Sequence, residues 1–300
     1  PPFNRDPKGS AFALPFGSRL NQCSGRRMHP LYGKVALITG GSSGIGRATA
    51  LRLASFGARI AVAARTAAAL AEVVGEAEVL GVEALAVPTD VTDVEQCRRA
   101  VETTVAHFGR LDVLVCSAGV SMRGMFADAE PAALEQIMRV NFFGTLYPTY
   151  FAVPHVKRSH GSLVAISSLT GLRGTPSYAI YGASKFAVRG LYDSLRLELA
   201  ADGVHVGVVS PGFVATPLRQ RVLDARGQPW PTPPAPPFRI WPVEKCVDRV
   251  VNLIIKRRPQ ALLRAFLSPL LALDEITGGR LGDWYLGSKF DPADAKPPAG

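Results

Sequence analysis

Cysteine is scarce in this 300-residue chain: Cys23, Cys97, Cys116 and Cys246 are scattered, with neither metal-ligand spacing nor the density of a secreted disulfide scaffold. Their scarcity points to a reducing, cytoplasmic setting, and Cys116, inside an apolar run, reads as a small buried thiol. Long hydrophobic runs are missing too. Residues 1–30 contain no apolar core of a secretory signal. Residues 261–273 are apolar, but Arg264 and Pro269 break them well short of the ~20 residues of a membrane span. Residues 261–290 therefore read as a membrane-surface contact, an oligomer contact or a pocket wall. Acidic residues are in deficit, 24 against 34 Lys and Arg, for a net charge of +10. The arginines are scattered, and no basic helix interleaved with aromatics appears. The charge reads as solvated surface, and no nucleic-acid partner is expected.

Apolar residues are plentiful, at 47%, and the length suits one large α/β domain with an ample core. Residues 1–30 mix Pro, Gly, Ser and Arg without a sustained period and read as a disordered leader, with organelle targeting as the alternative. Residues 31–290 read as the single domain, and 291–300, rich in Pro and Ala, as a flexible tail.

Within the domain, strand and helix patterns alternate. Strands are expected at 34–38, 59–63, 84–87, 111–115, 163–166 and 204–209. Helices are expected at 47–56, 68–80, 94–108, after Pro131, at 183–199 and at 243–255. Repeated β-then-α implies a doubly wound parallel sheet, Rossmann-like, with helices on both faces and its site at the C-terminal strand ends.

The first strand runs straight into T-G-G-S-S-G-I-G, Thr39 to Gly46, followed by a helix. Gly40, Gly44 and Gly46 allow close backbone approach to a pyrophosphate, and the helix N-terminus supplies free N–H groups. Ser42, Ser43 and Ile45 belong to the same turn. After the second strand, an acidic residue would mark a free ribose 2′-hydroxyl; Ala64-Arg65 stands there instead. The cation suits a 2′-phosphate, so NADP(H) is expected over NAD(H), with Arg47 and Ser42 or Ser43 assisting. Asp90, beside Val91, is placed to accept from an adenine amino group.

Farther on, Tyr181 and Lys185 are four residues apart on a helix, one turn from each other on one face. Such a pair is commonplace on amphipathic helices. With Ser168 at the end of the preceding strand, it becomes a proton-transfer set. A nearby ammonium is expected to pull the phenol's pKa down, and Ser168 to hold the same substrate oxygen.

T-G-G-S-S-G-I-G, D-V, S-A-G, V-N-F-F-G, S-S, Y-G-A-S-K and P-G-F-V-A-T follow one another over residues 33–217. In order and spacing they resemble the short-chain dehydrogenase/reductase superfamily. That resemblance implies an NAD(P)-dependent oxidoreductase interconverting a carbonyl and an alcohol, with Asn141, Ser168, Tyr181 and Lys185 as the catalytic tetrad. Ser168, thirteen residues before Tyr181, fits the pattern better than Ser167; Tyr178 fails it, because Gly182 lies four residues on. The resemblance further implies that Lys185 grips the nicotinamide ribose and that Asn141 holds a water in a proton relay. It also implies cofactor contacts at Ala118, Gly119, Pro211, Gly212, Val214 and Thr216, and a homodimer or homotetramer. Cys116-Ser117 replaces a common Asn-Asn, for which a small cost in stability or cofactor affinity is expected.

Residues 213–242 read as a substrate lid, with seven prolines and two tryptophans between Gln228 and Pro242. Tyr178, Phe213, Leu218, Trp230, Phe238, Ile240 and Trp241 suggest apolar walls, and hence a bulky uncharged carbonyl. Arg219, Arg221 and Arg226 are expected to face solvent. No metal is expected. The alternatives are an NAD-dependent alcohol dehydrogenase of the same fold and a non-catalytic or membrane-surface binding protein.

Overall fold

The computed structural model describes residues 28–230, 239–262, 273–288, 290–291 and 295. Residues 1–27 of the expected leader, Phe238 with the prolines of 231–237, and Arg264 and Pro269 lie outside the described residues.

Seven strands form one parallel sheet in the order β3-β2-β1-β4-β5-β6-β7. They are β1 (Val35–Thr39), β2 (Arg59–Ala64), β3 (Ala84–Pro88), β4 (Val113–Cys116), β5 (Ser162–Ile166), β6 (His205–Ser210) and β7 (Gln260–Leu262). Their near-continuous apolar runs follow from burial on both faces: every residue of β1, β4, β5 and β6 is buried. Alternate residues serve opposite layers. Ala36 and Ile38 pack toward α1 (Gly44–Ala54), α2 (Ala67–Val79) and α7 (Val243–Ile255). Val35 and Leu37 pack toward α3 (Val94–Phe108), α5 (Gly144–Ser159) and α6 (Ala179–Glu198). β7 was not expected: three residues after a proline carry too little pattern to stand out.

Helix limits follow local chemistry. Asp93 accepts from the backbone N–H of Glu95 and Gln96 at the start of α3, and Gly109, at φ 77°, ends it. α6 starts at Ala179, four residues before the apolar rhythm becomes visible, so Tyr181 sits in its first turn. α4 (Pro131–Met138) passes through a π-helical turn, Arg139–Phe143, into α5. Such turns insert a residue and redirect side chains, often at functional sites.

The register aligns the strand ends: Thr39 pairs with Ala63 and Cys116, Cys116 with Ala165, and Ile166 with Val209. Since β1 is flanked by β2 and β4, the chain reverses direction across the sheet there, and a crevice opens at the C-terminal edge. No helix among the described residues is long and apolar enough to cross a membrane.

Candidate active site

A cavity of about 1440 Å³ opens at that edge, running from the glycine turn past Ser168, Tyr181 and Lys185 to a C-terminal helix, α8 (Arg280–Gly287). Gly40, Ser42, Ser43, Gly44 and Ile45 line one end. Gly40 has φ +65°, and a Cβ there would fall 2.7 Å from the Ala118 nitrogen. Gly46 is different. It is buried outside the cavity, and a Cβ there would lie 2.3 Å from the Gly40 carbonyl oxygen, so it closes the turn by packing instead of facing a ligand. The N-terminus of α1 carries no acidic residue, and Ser43 makes no side-chain capping bond. Its unspent N–H groups suit a diphosphate.

Arg65 is exposed at the cavity edge beside Thr66 and has no ion pair among the described residues. Arg47, expected to assist, is instead engaged with both carboxylate oxygens of Glu76, at 2.5 and 2.6 Å. Asp90 also lines the cavity; its Oδ1 accepts from the N–H and hydroxyl of Thr92, at 2.9 and 2.8 Å. Val91, Ala118, Gly119, Pro211, Gly212, Val214 and Thr216 line the same space. Thr216 is brought over the glycine turn, where a Cβ on Gly44 would come 3.3 Å from its own.

Ser167 and Ser168 separate cleanly. The Ser167 hydroxyl is donated to the Lys185 carbonyl at 2.9 Å. Ser168 Oγ accepts from the N–H and hydroxyl of Thr170, at 3.2 and 3.0 Å, leaving its own proton to donate. Tyr178 stands at the mouth of the pair, its ring 6.2 Å from that of Tyr181 in an edge-to-face arrangement.

The expected electrostatics do not hold. Burial pushes the Tyr181 phenol up to about 12, with Ser168 opposing the rise. Tyr181 keeps part of its surface open to the cavity, where solvent tempers the shift, but the direction follows from the protein packed around it. Burial also lowers the Lys185 ammonium to about 8. Lys185 Nζ lies 5.9 Å from the Tyr181 ring centre and donates its hydrogen bond to the Ile166 carbonyl at 3.0 Å. Desolvation outweighs attraction for both groups. The phenol is protonated at neutral pH.

Asn141, on the π-helical turn, is fully buried but not in the cavity. Its Oδ1 accepts from the Val120 N–H at 2.8 Å, and its Nδ2 donates to the Val120 carbonyl and to Ser184 Oγ, both at 3.0 Å. It ties the loop after β4 to α6. Gly119 lies between: a Cβ there would be 3.2 Å from Asn141 Oδ1 and 3.5 Å from Lys185 Nζ.

On the substrate side, Phe213, Leu218 and Trp241 line the cavity, with Trp241 fixed by a bridge to Val214. Trp230 does not. It is 6% exposed, and its Nε1 donates to the Arg123 carbonyl at 3.2 Å, so it packs under the segment as an anchor. Of the arginines expected to face solvent, Arg226 is exposed and outside the cavity, whereas Arg219 and Arg221 line it, joined by Arg239. Arg219 stacks 5.7 Å from the Phe213 ring centre and Arg239 4.9 Å from that of Trp241. Arg173, Leu281, Trp284 and Tyr285 also line it, and no motif announced them.

Residues 34–227 match the short chain dehydrogenase family. The chain belongs to it. This short-chain dehydrogenase is 36% identical over 236 residues to 11-beta-hydroxysteroid dehydrogenase 1A of Arabidopsis thaliana, covering 76% of this chain and 67% of the relative. It is 37% identical over 226 residues to 11-beta-hydroxysteroid dehydrogenase-like 4A of the same plant, covering 75% and 74%. Among solved structures, a short chain dehydrogenase from Mycobacterium paratuberculosis bound to NAD matches with TM-score 0.67 at 28% identity, covering 77% of this chain and 95% of that one. The protein is thus an NAD(P)-dependent oxidoreductase acting on CH–OH groups. Its Cys116 sits under α5, 3.7 Å from the Thr145 carbonyl, with burial pushing the thiol to about 11. The Thr39 hydroxyl accepts from the Ser117 N–H at 3.3 Å, bracing the loop there.

Proposed function

We propose that this short-chain dehydrogenase interconverts a bulky, largely apolar carbonyl compound and its secondary alcohol, with NADP(H) preferred. One observation carries this reading: a single cavity joins the glycine turn to the Ser168, Tyr181 and Lys185 cluster and continues along an apolar wall. Gly40, Ser42–Ile45, Arg65, Asp90 and the loop from Pro211 to Thr216 would hold the dinucleotide, whose nicotinamide supplies or accepts the hydride.

The chain's own groups handle the proton. In reduction, Ser168 Oγ–H donates to the carbonyl oxygen and orients it, and the protonated Tyr181 phenol transfers its proton to that oxygen as the carbon receives hydride. Lys185, with its ammonium lowered to about 8, can release a proton near neutral pH to restore the phenol. Asn141 holds the Val120 loop against α6 and so keeps Lys185 and Tyr181 in register. In oxidation the same groups act in reverse, Tyr181 as base.

The plant relatives' hydroxysteroid dehydrogenase names favour a rigid polycyclic substrate. Arg219, Arg221 and Arg239 support a second reading, in which the substrate carries an acidic group at its far end. An NAD-preferring enzyme is the alternative for the cofactor. A homodimer or homotetramer paired through α5 and α6 belongs to the same proposal; Tyr150 and Leu197 stay exposed on those helices.

The deciding experiment is Tyr181→Phe, assayed with NADPH and NADH on polycyclic, aryl and short hydroxy-ketones, each neutral and carboxylated. Turnover of the best wild-type substrate should fall by about 10²–10⁴ while NADPH binding persists. Near-normal turnover in the variant would refute the assignment.

A further inference from the structure

We propose that Arg173 is the positioning residue that sets substrate size selectivity. It clasps the C-terminal helix α8 to the loop carrying Ser168, making Leu281, Trp284 and Tyr285 the outer wall of the substrate compartment. This rests on the reading that a bulky apolar carbonyl occupies the cavity.

Arg173 lies five residues past Ser168, on a loop already secured to the core. Its backbone N–H donates to the Leu169 carbonyl at 3.2 Å, and the Leu169 N–H donates to the Pro211 carbonyl at 2.9 Å. From that base the guanidinium reaches across the cavity mouth. Nη2 donates to Asp283 Oδ1 at 2.5 Å and to the Gly279 carbonyl at 2.7 Å. Nε lies 2.8 Å from Asp274 Oδ2, an ion pair whose N–H is not aimed along the line of contact. Asp274 is buried, and its other oxygen accepts from the Gly282 N–H at 2.6 Å in the first turn of α8. One carboxylate therefore caps the helix and faces the arginine.

The backbone is shaped for this arrangement. Gly278 and Gly279 take φ +65° and +82°, turning the chain into α8 beside the guanidinium. A Cβ at Gly282 would come within 2.6 Å of both Arg173 Nε and Asp274 Oδ2. Among the described residues, the side-chain hydrogen bonds and ion pairs seen between 273–288 and residues 28–262 run through Arg173. An isolated surface ion pair contributes little, but this guanidinium, largely withdrawn from solvent, addresses two carboxylates and a carbonyl together.

The clasp matters because of what α8 presents. Leu281, Trp284 and Tyr285 line the cavity, yet Trp284 is 74% exposed. Apolar rings left open on a cavity wall have not been used for folding; a large apolar ligand covers them, and a small one does not reach them.

The test compares the full-length enzyme with Arg173→Ala, Arg173→Lys and Gly282→Ala. Hydrogen–deuterium exchange of 273–288 is followed without substrate, and kcat and KM are measured for a bulky aryl ketone and a short hydroxy-ketone with NADPH. Arg173→Ala and Gly282→Ala should speed exchange in 273–288 at least tenfold. They should raise KM for the bulky ketone at least tenfold, with kcat falling less than threefold, and lower the bulky-to-small preference at least fivefold. Arg173→Lys, which keeps the charge and loses the fork, should fall between them and wild type. Unchanged exchange, or equal losses for both ketones, would overturn the proposal. If the wild type reduces neither ketone, the substrate reading fails separately, and exchange alone decides the clasp: faster exchange upholds it, unchanged exchange overturns it.

Discussion

Replacing Lys185 by methionine should abolish turnover while leaving the unliganded fold as stable as before, or more so. Lys185 is 5% exposed, and its ammonium donates to the Ile166 carbonyl. Burial lowers its pKa from 10.5 to about 8, a difference corresponding to about 3 kcal/mol against the charged form at neutral pH. Methionine has similar length and removes that cost, but leaves the Ile166 carbonyl without its donor, at about 1–3 kcal/mol. The balance at pH 7 lies between no change and about 2 kcal/mol of added stability. The pH dependence is the sharper signature. Between about 8 and 10.5 the folded chain has released this proton and the unfolded chain has not, so wild-type stability rises with pH across that window. The variant lacks this rise, and its advantage should shrink as pH is raised from 7 to 9.5. Chemical unfolding followed by tryptophan fluorescence at both pH values measures the difference, in which groups common to both proteins largely cancel. A variant less stable by more than about 1.5 kcal/mol at pH 7, with a gap that does not change with pH, would show that desolvation of Lys185 is not the dominant effect.

If Arg65 meets a 2′-phosphate, Arg65→Ala should weaken NADPH about ten- to hundredfold more than NADH, as titration of each cofactor would show. Equal losses would count against NADP(H) preference. Trp230→Ala should cost about 3–5 kcal/mol of unfolding free energy with little effect on substrate preference, because the ring is a buried anchor. Trp241→Ala should do the reverse, since that ring lines the cavity. Parallel melts and substrate ratios on the two variants separate these roles.

Local chemistry was enough to read much of this protein from its sequence. A strand buried on both faces must be apolar throughout, which made Val35–Thr39 and Ser162–Ile166 visible. Gly40 needs positive φ and closeness to Ala118, requirements met by one residue type, so the glycine turn announced itself. The spacing of Ser168, Tyr181 and Lys185 placed them together, because a strand end and the first turns of the next helix leave little freedom. The signs of their pKa shifts were a different matter. Pairing argues for a lowered phenol, and only packing showed that desolvation dominates. Trp230 and Trp241 look alike in a proline-rich segment; one points into the core and the other into the cavity, according to bridges made with distant residues. Arg173 and Asp274, about a hundred residues apart, carry no motif, since a single ion pair imposes no local period. Among the readings open for 261–290, only the tertiary structure brought Leu281, Trp284 and Tyr285 to the cavity, because the contact depends on where two separate segments arrive in space.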